Sequence, residues 1–125
     1  MRTFISSKIH GIRVTDKSVD YHGSVAIDGD LLREAGIEHY EQVAVVNLTN
    51  GERWETYAIP GGPGEFSLRG GGSRLGEIGD SCVILAYQQS TEFVGASVVF
   101  VDPKNKVIET MRYPTTTRQG GPTAP

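Results

Sequence analysis

The sequence contains only one cysteine, Cys82, among its 125 residues. An internal disulfide requires two cysteines and a cysteine-based zinc site requires several, so neither can form. No run of apolar residues approaches the roughly 20 that a membrane-spanning helix needs. Lysine and arginine form no cluster, and the formal net charge is −3. We therefore expect no nucleic-acid partner and no membrane partner.

The composition is typical of a folded, soluble protein, with 38% hydrophobic and 22% charged residues. The length suits one domain with a single core. The N-terminal residues turn polar too early for a secretory signal, so we expect a cytoplasmic protein. From Arg112 onward the chain is mainly Pro, Thr, Gly and Arg. We therefore predict one domain over residues 1–111 and a disordered tail over residues 112–125.

Short apolar segments at close spacing predict an all-β fold with one or two short helices. Two short extended segments are predicted within residues 2–15, followed by a polar turn at 16–20. Further strands are predicted at residues 24–27, 42–48, 53–59, 65–68, 82–87, 97–102 and 107–111. The segment 42–48 is apolar on both faces, which indicates a central strand. This pattern predicts a compact β-barrel but does not distinguish one barrel topology from another.

Residues 28–36 predict the helix. Asp28 or Asp30 can accept hydrogen bonds from the first free amides, and either carboxylate suits the positive end of the helix dipole. Gly36 can end the helix in a left-handed conformation. Because the helix has only about two turns, we expect tertiary packing rather than intrinsic propensity to hold it.

Glycine and proline predict where the sheet turns. Asn50-Gly51 is typical of a two-residue type I′ hairpin, which needs a positive φ at both positions. The segment 60–64 contains two prolines and three glycines, and we expect it to interrupt the strands. Residues 69–73 include three consecutive glycines and predict a loop.

The most distinctive stretch is Tyr21-His22-Gly23-Ser24, directly before an apolar strand. A Gly-Ser pair alone is a common turn, in which glycine supplies an unusual φ and serine caps the next element. The same pair also suits peptide-bond chemistry. Ser24 carries a nucleophile one carbon from its Cα, and Gly23 leaves room beside its own carbonyl group. From these residues alone, the turn is the simpler interpretation.

Several other motifs favour the chemical interpretation. The chain resembles the pyruvoyl-dependent aspartate 1-decarboxylases over residues 1–109, with the motifs in the same order. The most specific motifs are Lys8-Ile9-His10, Tyr21-x-Gly23-Ser24 and Asn50-Gly51-x-Arg53-x-x-Thr56-Tyr57-Ala58-Ile59. Gly79-Asp80 and the segment 98–105 add support.

The resemblance implies a double-psi β-barrel and a homotetramer with active sites between subunits. It also implies that the chain cuts itself between Gly23 and Ser24, and that Ser24 becomes a pyruvoyl group. Neither a metal nor pyridoxal phosphate is then required. The ketone would form a Schiff base with L-aspartate and accept electrons as CO2 leaves, giving β-alanine for pantothenate and coenzyme A. Whether a separate maturation protein assists the cut is left open.

The same resemblance assigns residues to the substrate. Tyr57 matches the proton donor, and Thr56 matches a substrate-binding position. Neighbours on a regular strand face opposite ways, so these two share a pocket only if the strand distorts or one acts through its backbone. Arg53 is expected to bind a substrate carboxylate through its guanidinium. Without the resemblance, Arg53 reads as an exposed charge beside Glu55, and Tyr57 reads as a tyrosine at the barrel rim.

Two further groups are assigned to substrate binding. Lys8 and His10 lie two residues apart on a strand and therefore share a face. The alternative is that this face is merely solvated. Gly70, Gly71 and Gly72 stand where the family has Gly-Ala-Ala, whose backbone contacts the substrate. Three glycines in a row are otherwise typical of a flexible linker.

Three departures from the family pattern leave alternatives open, and one of them is the glycine loop, which is looser than Gly-Ala-Ala. Arg69 stands where these enzymes usually carry an asparagine near the pyruvoyl group, and His22 replaces a residue that is often acidic or apolar. One alternative is a pyruvoyl decarboxylase for a different acidic or β-substituted amino acid in a specialised pathway. The other is an uncleaved, non-catalytic barrel.

Overall fold

The structure is a computed structural model that describes residues 1–20 and 22–114. Tyr21 and residues 115–125, which make up most of the predicted tail, lie outside the described residues. The described part contains nine strands: β1 (Arg2–Arg13), β2 (Asp16–Ser18), β3 (Ser24–Asp28), β4 (Gln42–Asn47), β5 (Arg53–Gly61), β6 (Phe66–Arg69), β7 (Ser81–Ser90), β8 (Ala96–Val101) and β9 (Val107–Tyr113). It also contains the helix α1 (Gly29–Ala35) and a 3₁₀ helix (Gly70–Leu75).

The nine strands form one sheet in the order β2-β6-β3-β5-β4-β7-β1-β8-β9. Two residues, Val14 and Thr15, connect β1 to β2, although β2 lies at the far end of this order. The Val14 amide donates to the Asp80 carbonyl at 3.0 Å and the Thr15 amide donates to the Phe66 carbonyl at 2.8 Å. So short a connection requires the sheet to curl round on itself. The all-β prediction is confirmed, and the architecture is consistent with a β-barrel.

The core lies inside the curled sheet, where alternate strand residues point inward. Its largest fully buried side chains include Ile9, Ile27, Phe66 and Ile84. The strand β4 lies between β5 and β7 and buries Val43, Ala44 and Val45, as expected for a central strand. Removal of these apolar groups from water stabilises the fold and fixes which strand face points outward.

The helix α1 has the predicted ends. The Asp28 carboxylate accepts from the Asp30 amide at 2.8 Å. At the other end Gly36 adopts a left-handed φ of 74°, and the Ile37 amide bonds to the Leu32 carbonyl at 2.9 Å. This reversal satisfies carbonyl groups that the short helix would otherwise leave unpaired.

The N-terminal region differs from the prediction. In place of two extended segments there is one long strand, β1, with bulges at Ser6 and Gly11. Gly11 has a φ of 92°, which glycine adopts without strain. The predicted turn at 16–20 begins instead as β2, because Asp16–Ser18 pairs with β6 some 50 residues later.

The Asn50-Gly51 turn is also different. Only Gly51 has a positive φ (81°), so the predicted type I′ turn is wrong. The Asn47 side chain accepts from the amides of Thr49 and Asn50 at 2.8 and 3.3 Å. These bonds stabilise a longer loop, which is closed by an Asn47 amide to Glu52 carbonyl bond of 2.8 Å.

Two strands continue beyond their predicted ends. The strand β5 passes through Pro60 to Gly61, because the parallel pairing with β3 includes both residues. The strand β9 includes Arg112 and Tyr113, which were assigned to the tail. Tyr113 pairs with Ala96, and the Arg112 guanidinium donates to the Ser97 hydroxyl at 2.9 Å. The boundary at residue 111 is therefore corrected to at least residue 113.

Candidate active site

Ser24 begins β3 and is only 4% exposed. On one side it pairs with Arg69 of the antiparallel strand β6. On the other side, β3 pairs with the parallel strand β5, where Val25 lies opposite Ala58. Ser24 comes directly before Val25, and Tyr57 comes directly before Ala58. Val25 and Ala58 belong to the core cluster. Ser24, Tyr57 and Arg69 therefore point to the outer face of three adjacent strands.

Gly23 is not required by packing. No described atom lies within 4 Å of the position that a Cβ would take, and its φ is outside the positive range. Neither crowding nor a left-handed backbone explains a glycine here.

Tyr57 is half-buried, and its ring stacks on that of Tyr40 with centroids 6.2 Å apart and an interplanar angle of 27°. Tyr40 has a φ of 70°, and its amide donates to the Ala58 carbonyl at 2.7 Å. This backbone geometry fixes the ring of Tyr40 beside Tyr57. The sequence analysis missed Tyr40, because nothing in the sequence signals a positive φ at a tyrosine.

Thr56 does not share the face of Tyr57. The pairing of β5 with β4 runs from Arg53 to Tyr57 with no bulge. The side chain of Thr56 therefore points to the same side as Trp54, which packs against the core. Within one chain, Thr56 can reach the outer face only through its backbone.

Arg53 lies on the same face as Tyr57, four residues earlier on β5. It is exposed, and its guanidinium donates to the Tyr87 hydroxyl at 3.0 Å. Tyr87, on β7, was not identified from the sequence. This contact fixes the direction of a guanidinium that was expected to bind a carboxylate.

Lys8 and His10 share the outer face of β1, on the opposite side from the buried Ile9. The ring of His10 packs against Phe100 with centroids 5.5 Å apart. Burial, and to a lesser extent the charge of Lys8, lowers the pKa of His10 below its usual value. Along the sheet, β5, β4 and β7 separate β1 from β3. Strand pairing within one chain therefore does not bring these two residues to Ser24.

The predicted glycine loop is a 3₁₀ helix that begins directly after Arg69. Gly70 has a φ of 69°, and its carbonyl accepts from the buried Ser73 hydroxyl at 2.7 Å. A Cβ on Gly72 would lie 2.7 Å from Nε1 of Trp54, whereas one on Gly71 would meet no described atom within 4 Å. The segment is therefore an ordered turn, and Trp54 takes the space that an alanine at Gly72 would need.

We expect Gly72→Ala to lower stability by about 1–3 kcal/mol, because the indole of Trp54 has to move. Gly71→Ala is the matched control and should change stability by less than about 0.5 kcal/mol. Urea denaturation of the two variants measures both effects. Equal stability of the two would contradict the crowding at Trp54.

Arg69 is linked to Glu65 on the same face of the sheet. Their closest side-chain atoms are 3.7 Å apart, which is an ion pair without a hydrogen bond. The Glu65 carboxylate also accepts from the Gly62 amide at 2.8 Å and from the Ser67 hydroxyl at 2.5 Å. These bonds hold the carboxylate in place. Arg69 therefore brings a positive charge, partly balanced by Glu65, to the strand beside Ser24.

Sequence comparison now decides the family. The sequence model of the aspartate decarboxylase family matches residues 1–108. The chain belongs to this family. The resemblance inferred from the sequence motifs is thereby confirmed.

Individual family members are similar over nearly their whole length. Aspartate 1-decarboxylase of Acaryochloris marina is 48% identical over 114 residues, which cover 86% of this chain and 87% of that protein. Aspartate 1-decarboxylase of Ruminiclostridium cellulolyticum is 43% identical over 117 residues, covering 89% and 91%. That of Trichormus variabilis is 44% identical over 118 residues, covering 90% and 93%.

Three further observations on this aspartate decarboxylase family member concern metal binding, its cysteine and membrane spanning. In residues 1–20 and 22–114, no group of three His, Cys, Asp or Glu side chains could hold a metal ion. Burial raises the pKa of the Cys82 thiol to about 12, which makes it a poor nucleophile. Among the described residues, neither helix has the length and apolar character that spanning a bilayer requires.

Proposed function

We propose that this family member is a cytoplasmic enzyme that decarboxylates L-aspartate to β-alanine and CO2, supplying β-alanine for pantothenate and coenzyme A. Membership of the aspartate decarboxylase family and the names of its relatives support the reaction. The observation on which the assignment to Ser24 depends is its position at the start of β3, next to Tyr57 on β5.

The first step is self-cleavage. The Ser24 hydroxyl attacks the Gly23 carbonyl carbon, the peptide nitrogen leaves, and an ester replaces the amide. Loss of the Ser24 Hα with breakage of the Cβ–Oγ bond then releases Gly23 as a carboxylate. Addition of water and loss of ammonia leave a ketone at residue 24. The uncrowded Gly23 and the nearly buried Ser24 fit this pyruvoyl group, whose ketone supplies an electron sink for decarboxylation.

The chain's own residues then bind the substrate and return a proton. We assign proton donation to the substrate carbon to Tyr57, because it lies on the same outer face as Ser24. Arg53 lies further along the same face, where its guanidinium suits a carboxylate. We assign Gly70, Gly71 and Gly72 to backbone contacts with the substrate, because their 3₁₀ helix directly follows the partner strand of Ser24.

Thr56, Lys8 and His10 require a different arrangement. Thr56 contributes its backbone, since its side chain faces away from Tyr57. Three strands separate Lys8 and His10 from Ser24 along the sheet, so a neighbouring subunit is the better source of these side chains. This separation favours a homotetramer with sites between subunits. Whether another protein assists the cut is tested by whether the purified chain cuts itself.

A second candidate function keeps the chemistry and changes the substrate. Arg69 shares the outer face with Ser24 and adds a cation to the site. An acidic amino acid other than aspartate could use that charge. An uncleaved barrel is the remaining alternative, and it predicts no ketone at residue 24.

The test is the mass of the purified protein under denaturing conditions, followed by turnover with aspartate or glutamate. We expect two fragments that separate after Gly23, the larger with a ketone in place of its serine amine, and a clear preference for aspartate. Two fragments with serine retained would mean hydrolysis without the catalytic group. A single intact chain would mean either that a separate maturation protein is missing or that the barrel is uncleaved, and a preference for glutamate would support the second candidate.

A further inference from the structure

The cation beside Ser24 suits a particular step of maturation. Arg69 is the cross-strand partner of Ser24, and both side chains point to the outer face. Opposed Cβ atoms in such a pair are about 5 Å apart. The side chain of Arg69 is long enough to reach Ser24 and the peptide bond that precedes it, and in the uncut chain its guanidinium is directed along β6 to Glu65. Asparagine, which is usual at this position in the family, would bring no charge.

Maturation creates an anion at the same place. The starting amide is neutral, and so is the ester that replaces it. Negative charge becomes permanent only when the Ser24 Cβ–Oγ bond breaks and Gly23 departs as a carboxylate. A nearby positive charge stabilises that departing group more than it stabilises the ester.

We propose that Arg69 promotes this second step by stabilising the carboxylate of Gly23 as it leaves. The proposal rests on the self-cleavage proposed above. In the reaction, the electrons of the Cβ–Oγ bond remain on the Gly23 carboxylate, the Hα proton passes to water, and a double bond forms between Cα and Cβ of residue 24. Arg69 gains and loses no atom.

The negative charge of Glu65 counteracts the positive charge of Arg69. Its carboxylate is held by the Gly62 amide and the Ser67 hydroxyl and lies 3.7 Å from the guanidinium. That carboxylate offsets part of the positive charge in the uncut chain. The carboxylate released from Gly23 therefore competes with Glu65 for the same cation. Removing the charge of Glu65 and removing that of Arg69 should have opposite effects.

The test follows newly synthesised chain in cell-free translation by intact mass, with and without hydroxylamine, which cleaves esters. Hydroxylamine also attacks Asn50-Gly51, but that cut gives fragments of different mass. We expect Arg69→Gln to slow the appearance of fragments about tenfold, as the loss of one nearby charge predicts. A hydroxylamine-cleavable ester should persist in that variant. Arg69→Lys should restore the rate, and Glu65→Gln should process at least as fast as the unaltered chain.

Other results would overturn the proposal. An unaltered rate in Arg69→Gln removes any role for the charge. Slow processing without a hydroxylamine-cleavable ester places the effect on the first step. Failure of Arg69→Lys to restore the rate, or slowing in Glu65→Gln, means that the pair is only structural. An unaltered chain that never splits would instead refute the self-cleavage itself.

Discussion

Replacing Ser24 with alanine is expected to leave one uncut chain without decarboxylase activity. The substitution removes the only atom that can attack the Gly23 carbonyl from within residue 24. It keeps the Cβ and the strand pairing with Arg69. We therefore expect the free energy of unfolding to change by no more than about 1.5 kcal/mol, the usual contribution of one hydrogen bond. Intact mass measures the loss of cutting, and β-alanine release measures the loss of decarboxylase activity.

The matched control is Ser7→Ala. Ser7 is equally buried, and its hydroxyl donates to the Ala35 carbonyl of α1 at 2.7 Å rather than to a residue of β3. This variant loses a hydroxyl and some stability but should still be cut after Gly23. A cut at the same bond in Ser24→Ala would refute the mechanism.

Replacing Tyr57 with phenylalanine is expected to separate maturation from catalysis. The aromatic ring and its stacking on Tyr40 remain, so the chain should fold and cut itself as before. The phenol that we propose returns a proton to the substrate is lost. General acid catalysis contributes about 100-fold to 10,000-fold, so kcat should fall by about two orders of magnitude or more. Steady-state decarboxylation of the fully processed variant measures it.

Tyr40→Phe is the control for this variant. Tyr40 is 74% exposed and stacks on Tyr57, and it can keep that contact without its hydroxyl. Its turnover should remain within about twofold of the unaltered enzyme, since no proton transfer is assigned to it. Near-normal turnover of Tyr57→Phe would remove Tyr57 as the donor. A comparable loss in both variants would point to the stacked pair as a unit.

The parts of the fold that the sequence predicts are those that depend on nearby residues. The ends of α1 follow from Asp28 and Gly36, which act on amides and carbonyls a few residues away. The central position of β4 follows from its unbroken run of apolar residues. Where a segment needs a distant partner, prediction from local pattern fails. The strand β2 is polar and short, and it exists only because β6 lies beside it.

The residues of the candidate site, like the fold, are predicted only in part from local sequence. Motifs indicate Ser24, Tyr57 and Arg53, but only the parallel pairing of β3 with β5 puts the first two next to each other. The Asn50-Gly51 signal fails because a buried amide, Asn47, bonds to the turn and selects a longer loop. Contacts such as that between Trp54 and Gly72 depend on where two separate elements meet, and no local pattern contains them.

The place of β1 in the sheet has a consequence for the cut protein. The proposed break after Gly23 would leave β1 on the smaller fragment, yet β1 pairs with β7 from Arg2 to Arg13 and with β8 from Ser7 to His10. The uncut chain can refold as a single molecule, whereas the two fragments would first have to find each other. Refolding after denaturation should then depend on protein concentration. After maturation, folding would no longer be readily reversible. The lifetime of the folded protein would then be set by its rate of unfolding.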